Sequence, residues 1–207
     1  MNYKTRKRTY TLTNRAKLAA KNDRTILEAT ADLWKEIPIN DISLEKIAER
    51  SGVTVRTILR KFGSKEELFK TCIQYDATSI MQTRDQTPAG DISKILDDLL
   101  AEYEVMGDAV IRTLASEQEM AIARDILATG RLYHQAWCAR VFKKYLPRVQ
   151  TKNYSIRLMA FVSATDIYLW KLLRRDLHLN VHQTRAVLQE LLKGLIIKQK
   201  PTKTINL

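Results

Sequence analysis

Apolar side chains recur three or four residues apart along most of the chain, which is the spacing of one face of an α-helix. Near the start, Ile26, Ala29 and Leu33 follow this spacing until Pro38 ends the segment. N-terminal helices are predicted over residues of about 22–36, 43–50, 54–62 and 64–84. Because only 6 Gly and 4 Pro interrupt the 207 residues, we expect an all-α fold.

The second half of the chain has the same spacing over longer stretches. Further helices are predicted over residues of about 91–106, 108–116, 119–128, 130–146, 153–176 and 180–197. Asp91 is suited to cap the first of them, Gly107 and Pro147 are expected to interrupt the pattern, and Asn180 with Gln183 has the spacing of a capping box. The last two helices carry more apolar surface than one bundle face needs. Residues of about 153–197 are therefore expected to hold a homodimer.

Two short helices joined by a tight turn are predicted over residues 43–62. Ser43 and Thr54 are suited to cap them. Gly52 can take a positive φ in the turn, and the small Ala48 lets the helices approach closely. This arrangement is a helix-turn-helix, whose second helix enters the major groove of DNA. The residues expected to contact DNA are Ser43, Thr54, Val55, Arg56, Thr57, Arg60, Lys61 and Lys65.

Positive charge is concentrated at the N-terminal end. The chain has 35 Lys and Arg against 23 Asp and Glu, a net charge of +12, which favours a polyanionic partner such as nucleic acid. Residues 1–21 contain seven of these cations and no acid, which indicates a flexible basic arm that contacts DNA, or else a solvated tail. After this arm we expect a three-helix DNA-binding head over residues 22–73. A long helix joins it to a helical ligand-binding and dimerisation bundle over residues 74–200.

The segment over residues 42–69, ISLEKIAERSGVTVRTILRKFGSKEELF, resembles the DNA-binding head of the tetracycline-repressor (TetR) family. Its strongest elements are Ile47-Ala48, Ser51-Gly52-Val53-Thr54, Thr57-Ile58 and Phe62-Gly63-Ser64-Lys65-Glu66 followed by Leu68. The resemblance implies a homodimeric transcription regulator that binds double-stranded operator DNA and holds a small-molecule effector in its C-terminal bundle. The expected function is a repressor that the effector releases from its operator.

One position departs from the family pattern. The family usually has Tyr where this chain has Leu59, and the Tyr hydroxyl commonly contacts a phosphate. Val55 and Leu59 belong to an apolar stripe with Ile58 and Phe62, so both suit the core. The alternative for Val55 and Leu59 is apolar contact with thymine methyl groups.

Effector contacts are expected among polar and aromatic residues on the apolar faces of the bundle, although each of them also suits a place in the core. They are Tyr103, Met106, Tyr133, His134, Trp137, Phe161, Asp166 and Trp170. Asp166 lies in an apolar run, where a carboxylate needs a partner such as a cationic effector, an Arg or the other subunit. His134 and Cys138 are four residues apart, but two ligands do not make a metal site, so neither a metal nor a cofactor is expected.

Effector binding is expected to act through the spacing of the recognition helices. In a dimer these helices lie about 34 Å apart when they enter successive major grooves on one face of DNA. A ligand that moves the fourth helix, which links head and bundle, would change this distance.

Other classes of protein fit the sequence less well. Residues 158–170, the longest apolar-rich run, are too short and too polar to cross a membrane. Residues 1–21 lack the apolar segment of a secretory signal, so we expect the protein in the cytoplasm. The sequence has no phosphate-binding loop, zinc-ligand spacing or nucleophile elbow, so we do not expect an enzyme. The alternatives are an unspecific basic nucleic-acid-binding protein and, less favoured, an all-helical enzyme.

Overall fold

The computed structural model describes the backbone of residues 4–197 and the side chains of residues 17–75 and 82–196. All regular elements within this part of the chain are helical, which confirms the all-α prediction. The chain divides into two units, Met1–Thr78 and Ser79–Leu207. No helix in the described part is long and apolar enough to span a membrane.

The first unit consists of the N-terminal helices. They are α1 (Lys4–Glu36), α2 (Leu44–Ser51), α3 (Val55–Phe62) and the start of α4 (Lys65–Asp85), with a 3-10 turn at Ile39–Asp41. Side-chain caps begin the two short helices, because Ser43 Oγ accepts the Lys46 amide at 3.3 Å and Thr54 Oγ1 accepts the Thr57 amide at 3.2 Å. Both predicted caps are confirmed.

The start of α1 differs from the prediction. The helix begins at Lys4, so the predicted start near residue 22 is wrong, and the backbone of residues 4–21 is helical rather than disordered. The reason is that residues 4–36 contain neither Gly nor Pro, while Ala16, Ala19 and Ala20 have high helix propensity. The side chains of residues 1–16 lie outside the described residues. A DNA-contacting role for the cations of residues 1–21 stays a prediction.

A small apolar core holds the first unit together. Its fully buried side chains include Ile26, Ile47, Ile58 and Leu68, which come from four different helices. Gly52 ends α2 with φ +70°, a left-handed conformation that favours glycine. This turn reverses the chain between α2 and α3 and leaves one face of α3 free of the core.

The second unit is a helical bundle. Its elements are α5 (Ile92–Ala115), α6 (Ala121–Val141), a 3-10 turn at Lys143–Tyr145, α7 (Tyr154–Ala164), α8 (Ile167–Lys171), a π-helical turn at Leu172–Asp176 and α9 (Val181–Ile197). Asp91 caps α5 by accepting the Lys94 amide at 3.0 Å. Asn180 and Gln183 each accept the other's backbone amide at 2.9 Å, so the predicted capping box of α9 is confirmed.

Glycine does not interrupt the helices of the bundle as predicted. Gly107 lies inside α5 and Gly130 lies inside α6, so the predicted helices 108–116, 119–128 and 130–146 are wrong as separate elements. Gly107 is needed for packing, because a Cβ there would overlap the indole ring of Trp170. The lack of space for any Cβ, rather than a helix break, therefore explains Gly107.

The apolar run over residues 153–176 is not one helix. It is divided at Thr165, where α7 ends, and Asp166 begins α8 by accepting the Tyr168 amide at 2.9 Å. The Asp166 carboxylate does have a partner, as predicted, but this partner is a backbone N–H. An effector, an Arg or the other subunit is not needed to satisfy it.

Two helical glycines allow a matched stability test. Gly107→Ala would force a Cβ into the Trp170 ring, and such overpacking costs about 1–3 kcal/mol, more than the ~1 kcal/mol that Ala gains over Gly in a helix. Gly130 is exposed and a Cβ there meets nothing within 4 Å. We expect Gly107→Ala to lower the free energy of unfolding and Gly130→Ala to raise it by up to about 1 kcal/mol. Denaturant titration followed by circular dichroism measures both, and equal effects would contradict the packing role of Gly107.

Candidate nucleic-acid interface

Two ion pairs fix the short helices of the first unit against α1. Arg50 on α2 donates to both carboxylate oxygens of Glu36, at 2.9 and 2.7 Å. Lys61 on α3 lies 2.6 Å from a carboxylate oxygen of Asp23. Both pairs are largely exposed, so each contributes at most about 1 kcal/mol, but together with the core they define how α3 is oriented.

One face of α3 is directed to solvent. Ile58 is fully buried, whereas Arg56, Leu59 and Arg60 are exposed. These three residues have i, i+3 and i+4 spacing and therefore lie side by side on one face. Neither Arg56 nor Arg60 forms an ion pair with any residue that the structure describes. The face thus offers two unneutralised guanidinium groups to an anionic partner.

The hydroxyls at the start of α3 lie close together. Thr54 is exposed, and its Oγ1 lies 3.0 Å from Thr57 Oγ1 while it also accepts the Thr57 amide. A hydroxyl that accepts can still donate, so one proton of this pair remains available to a phosphate or a base edge. Ser43 is half-buried at the start of α2, and its Oγ accepts the Lys46 amide.

The remaining predicted contacts differ in availability. Lys61 is engaged with Asp23, and a phosphate would have to replace that exposed carboxylate. Lys65 is half-buried in the first turn of α4, where its Nζ lies 5.9 Å from the centre of the Phe69 ring, and burial lowers the pKa of its ammonium. Val55 is half-buried. Leu59 is 41% exposed, so a place in the core, one of its two predicted alternatives, is wrong.

The helix-turn-helix matches a known protein family. Residues 26–72 match the family described as bacterial regulatory proteins, tetR family. Over these residues the chain has the helix-turn-helix domain of the TetR family. No curated protein sequence matches this chain.

Solved structures are similar to this chain over most of its length. A transcriptional regulator from Pseudomonas aeruginosa PAO1 has a TM-score of 0.64 at 14% identity, with 85% of this chain and 90% of that chain covered. A TetR-family regulator from Rhodococcus sp. has a TM-score of 0.56 at 17% identity, with 84% and 98% covered. At 14% and 17% identity, the similarity shows a shared fold and no more.

The second unit contains a buried ion pair that the sequence did not indicate. Arg84, at the C-terminal end of α4, has a side chain that is 4% exposed. Its Nε and Nη2 donate to the two carboxylate oxygens of Glu102 on α5, the second at 2.9 Å. Its Nη1 lies 3.1 Å from Nδ1 of His134 on α6. One side chain thus joins three helices.

His134 is neutral in this cluster. Burial, with the nearby Arg84 cation, lowers the pKa of His134 to about 4, so Nδ1 can accept from Arg84. Its Nε2 lies 3.2 Å from Thr165 Oγ1 and 3.6 Å from the Cys138 sulfur. Burial also raises the pKa of the Cys138 thiol to about 12, so the thiol stays protonated. Among the described residues, no group of three or more His, Cys, Asp or Glu side chains could hold a metal.

Aromatic rings surround the Arg84 guanidinium. Its Cζ lies 4.7 Å from the centre of the Trp137 ring and 5.8 Å from those of Tyr103 and Tyr133. The structure therefore brings together four of the eight residues predicted to contact an effector, His134 being the fourth. We define the Arg84 cluster as Arg84, Glu102, Tyr103, Tyr133, His134 and Trp137.

The other four predicted effector residues have separate places in the unit. Phe161 is fully buried and stacks on Phe142 at 4.4 Å between ring centres. Trp170 donates its indole N–H to Glu104 at 2.9 Å. Asp166 caps α8, and Met106 is half-buried.

The missed residues, Arg84 and Glu102, carry a weak signal in the sequence. Glu102 directly precedes Tyr103 beside the apolar face of α5, and a carboxylate at the edge of a core needs a cation. Nothing in the sequence indicates which of the 35 cations supplies it.

Proposed function

We propose that this chain is a ligand-responsive TetR-family repressor that binds operator DNA as a homodimer in the cytoplasm. The observation that carries the DNA-binding part is the exposed face of α3. An eight-residue helix of about 12 Å fits the major groove, and its unpaired Arg56 and Arg60 supply positive charge. The basic N-terminal part of α1 would add sequence-independent contacts to phosphates.

The Arg84 cluster is the proposed region for effector binding. It combines aromatic rings, a carboxylate and a guanidinium within one helical bundle, which is a set of groups that can orient a small molecule. Arg84 and Asp85 are the last residues of α4, a helix that begins at Lys65 in the other unit. A molecule that displaces the Arg84 side chain would release the end of α4, and we propose that this changes the spacing of the two recognition helices on DNA.

Exposed apolar side chains on α7 and α9 support a homodimer. These two helices pack against each other, and Ile156, Met159 and Leu191 are 71%, 39% and 44% exposed. Large apolar residues on adjoining helices favour burial against a second copy of the same surface. Together with the rest of residues 153–197, they form the proposed dimer interface.

Two single substitutions test the proposed DNA contacts. Arg56 is expected to contact bases, and a good base contact is worth roughly 1–3 kcal/mol of discrimination between sequences. Lys65 is expected to contact a phosphate, so its loss weakens binding to all sequences about equally. Affinities of Arg56→Ala and Lys65→Ala for operator and for random DNA, measured by fluorescence anisotropy at fixed salt, separate the two roles.

The unchanged protein provides the reference for this test. We expect its operator affinity to exceed its random-DNA affinity by at least 10³-fold. Equal affinities would favour the unspecific nucleic-acid-binding protein. A loss of sequence preference in Lys65→Ala with its retention in Arg56→Ala would reverse the assigned roles.

A further inference from the structure

The exposed face of α3 contains a large apolar side chain that the fold does not use. Leu59 is 41% exposed, while the adjacent Ile58 is fully buried and fills the core of the first unit. Leu59 lies beside two cations on the same helix face, three residues after Arg56 and one residue before Arg60. The fold therefore exposes Leu59, and any partner that binds the two guanidinium groups also meets this side chain.

The chemistry of Leu59 restricts what it can contact on DNA. A leucine side chain has no hydrogen-bonding group, so it can bond neither to a phosphate oxygen nor to the polar edge of a base. On the major-groove edges of the four bases, the one apolar group is the C5 methyl of thymine. An apolar residue beside two arginines is thus suited to a base pair that presents a methyl group near the phosphates.

We propose that Leu59 is a specificity-determining residue that contacts the C5 methyl of a thymine in each operator half-site. The inference rests on the proposed function of α3 as the recognition helix. It adds that the operator has a T·A pair at a position fixed by Leu59. Contact with the methyl group removes apolar surface of both partners from water, and burial of one such group corresponds to an affinity factor of about four.

The experiment uses DNA that differs by a single methyl group. An operator is first selected with the full-length protein from a random double-stranded pool. Each thymine of one half-site is then replaced in turn by deoxyuridine, which lacks the C5 methyl but keeps the same hydrogen-bonding groups. We expect one replacement to lower the affinity of the unchanged protein about fourfold per half-site.

Two variants assign this effect to a residue. Leu59→Ala is expected to bind the thymine operator about as weakly as the unchanged protein binds the deoxyuridine operator, and to be insensitive to the replacement. Arg60→Ala is the matched control on the same face, and it is expected to bind more weakly overall but to keep the fourfold sensitivity. Because Leu59 and Arg60 are exposed, both variants are expected to fold, and circular dichroism verifies this.

The outcomes separate this inference from the proposed function. A selected operator whose thymines can all be replaced without loss would overturn the inference alone, as would a Leu59→Ala protein that keeps the sensitivity. Selection that enriches no sequence would overturn the proposed function as well.

Discussion

Replacing Glu102 by Ala is expected to destabilise the second unit by about 3 kcal/mol. The substitution leaves the Arg84 guanidinium buried without its carboxylate, and breaking a buried pair from one side costs about 3–5 kcal/mol. The lower end applies because the Glu102 side chain is 20% exposed, which lets water reach part of the site. Thermal unfolding followed by calorimetry should show a midpoint about 6–12 °C lower.

Two controls make this test specific. Asp97→Ala removes a carboxylate from the same helix, α5, but its pair with Arg185 is exposed, so a loss below about 1 kcal/mol is expected. The double variant Arg84→Met with Glu102→Leu removes both charges and should be far more stable than Glu102→Ala, since no buried charge remains. If Glu102→Ala and Asp97→Ala destabilised equally, the Arg84–Glu102 pair would have no special role in the bundle.

Replacing Leu191 by Glu is expected to convert the proposed dimer into monomers. In a symmetric interface the substitution introduces a carboxylate from each copy, and each would lose its hydration without gaining a partner. We expect the dimer dissociation constant to rise at least 100-fold, and operator affinity to fall because two recognition helices no longer bind together. Sedimentation velocity at micromolar concentration measures the first effect.

Leu191 is a better position for this test than Leu195. Leu195 packs against the core of the second unit, so a charged side chain there would also disturb folding. Leu132→Glu is the matched control, because Leu132 is a leucine on α6 that is 69% exposed. That variant should stay dimeric. A dimeric Leu191→Glu protein would move the interface elsewhere, and a monomeric unchanged protein would exclude the dimer.

Local features of this fold could be predicted from the sequence. The caps at Ser43, Thr54, Asp91 and Asn180 were predicted correctly because a cap depends on one side chain and on backbone amides two or three residues later. The turn at Gly52 was predictable for the same reason, since its positive φ is a local requirement. The helix-turn-helix is built almost entirely from such local signals.

Features that depend on distant residues could not be predicted. The sequence pattern predicts a helix break at Gly107, because the Trp170 ring that requires a glycine there lies 63 residues later in the chain. Arg84 binds Glu102 and His134, which are 18 and 50 residues away. The exposure of Leu59 could be seen only in the structure. An apolar stripe predicts which side chains suit a core, but not how many of them the core covers.

At the end of α4, the backbone of Arg84 is hydrogen-bonded to another helix, as its side chain is. The Arg84 carbonyl accepts from the Trp137 indole at 3.2 Å and from the Arg140 guanidinium, which also donates to the Thr87 carbonyl at 2.9 Å. Helix ends normally fray first, because their last four carbonyls have no partner within the helix. Here two side chains of α6 bind one of these carbonyls, that of Arg84. We therefore expect the final turn of α4 to open together with α6 as one cooperative unit, instead of unwinding on its own.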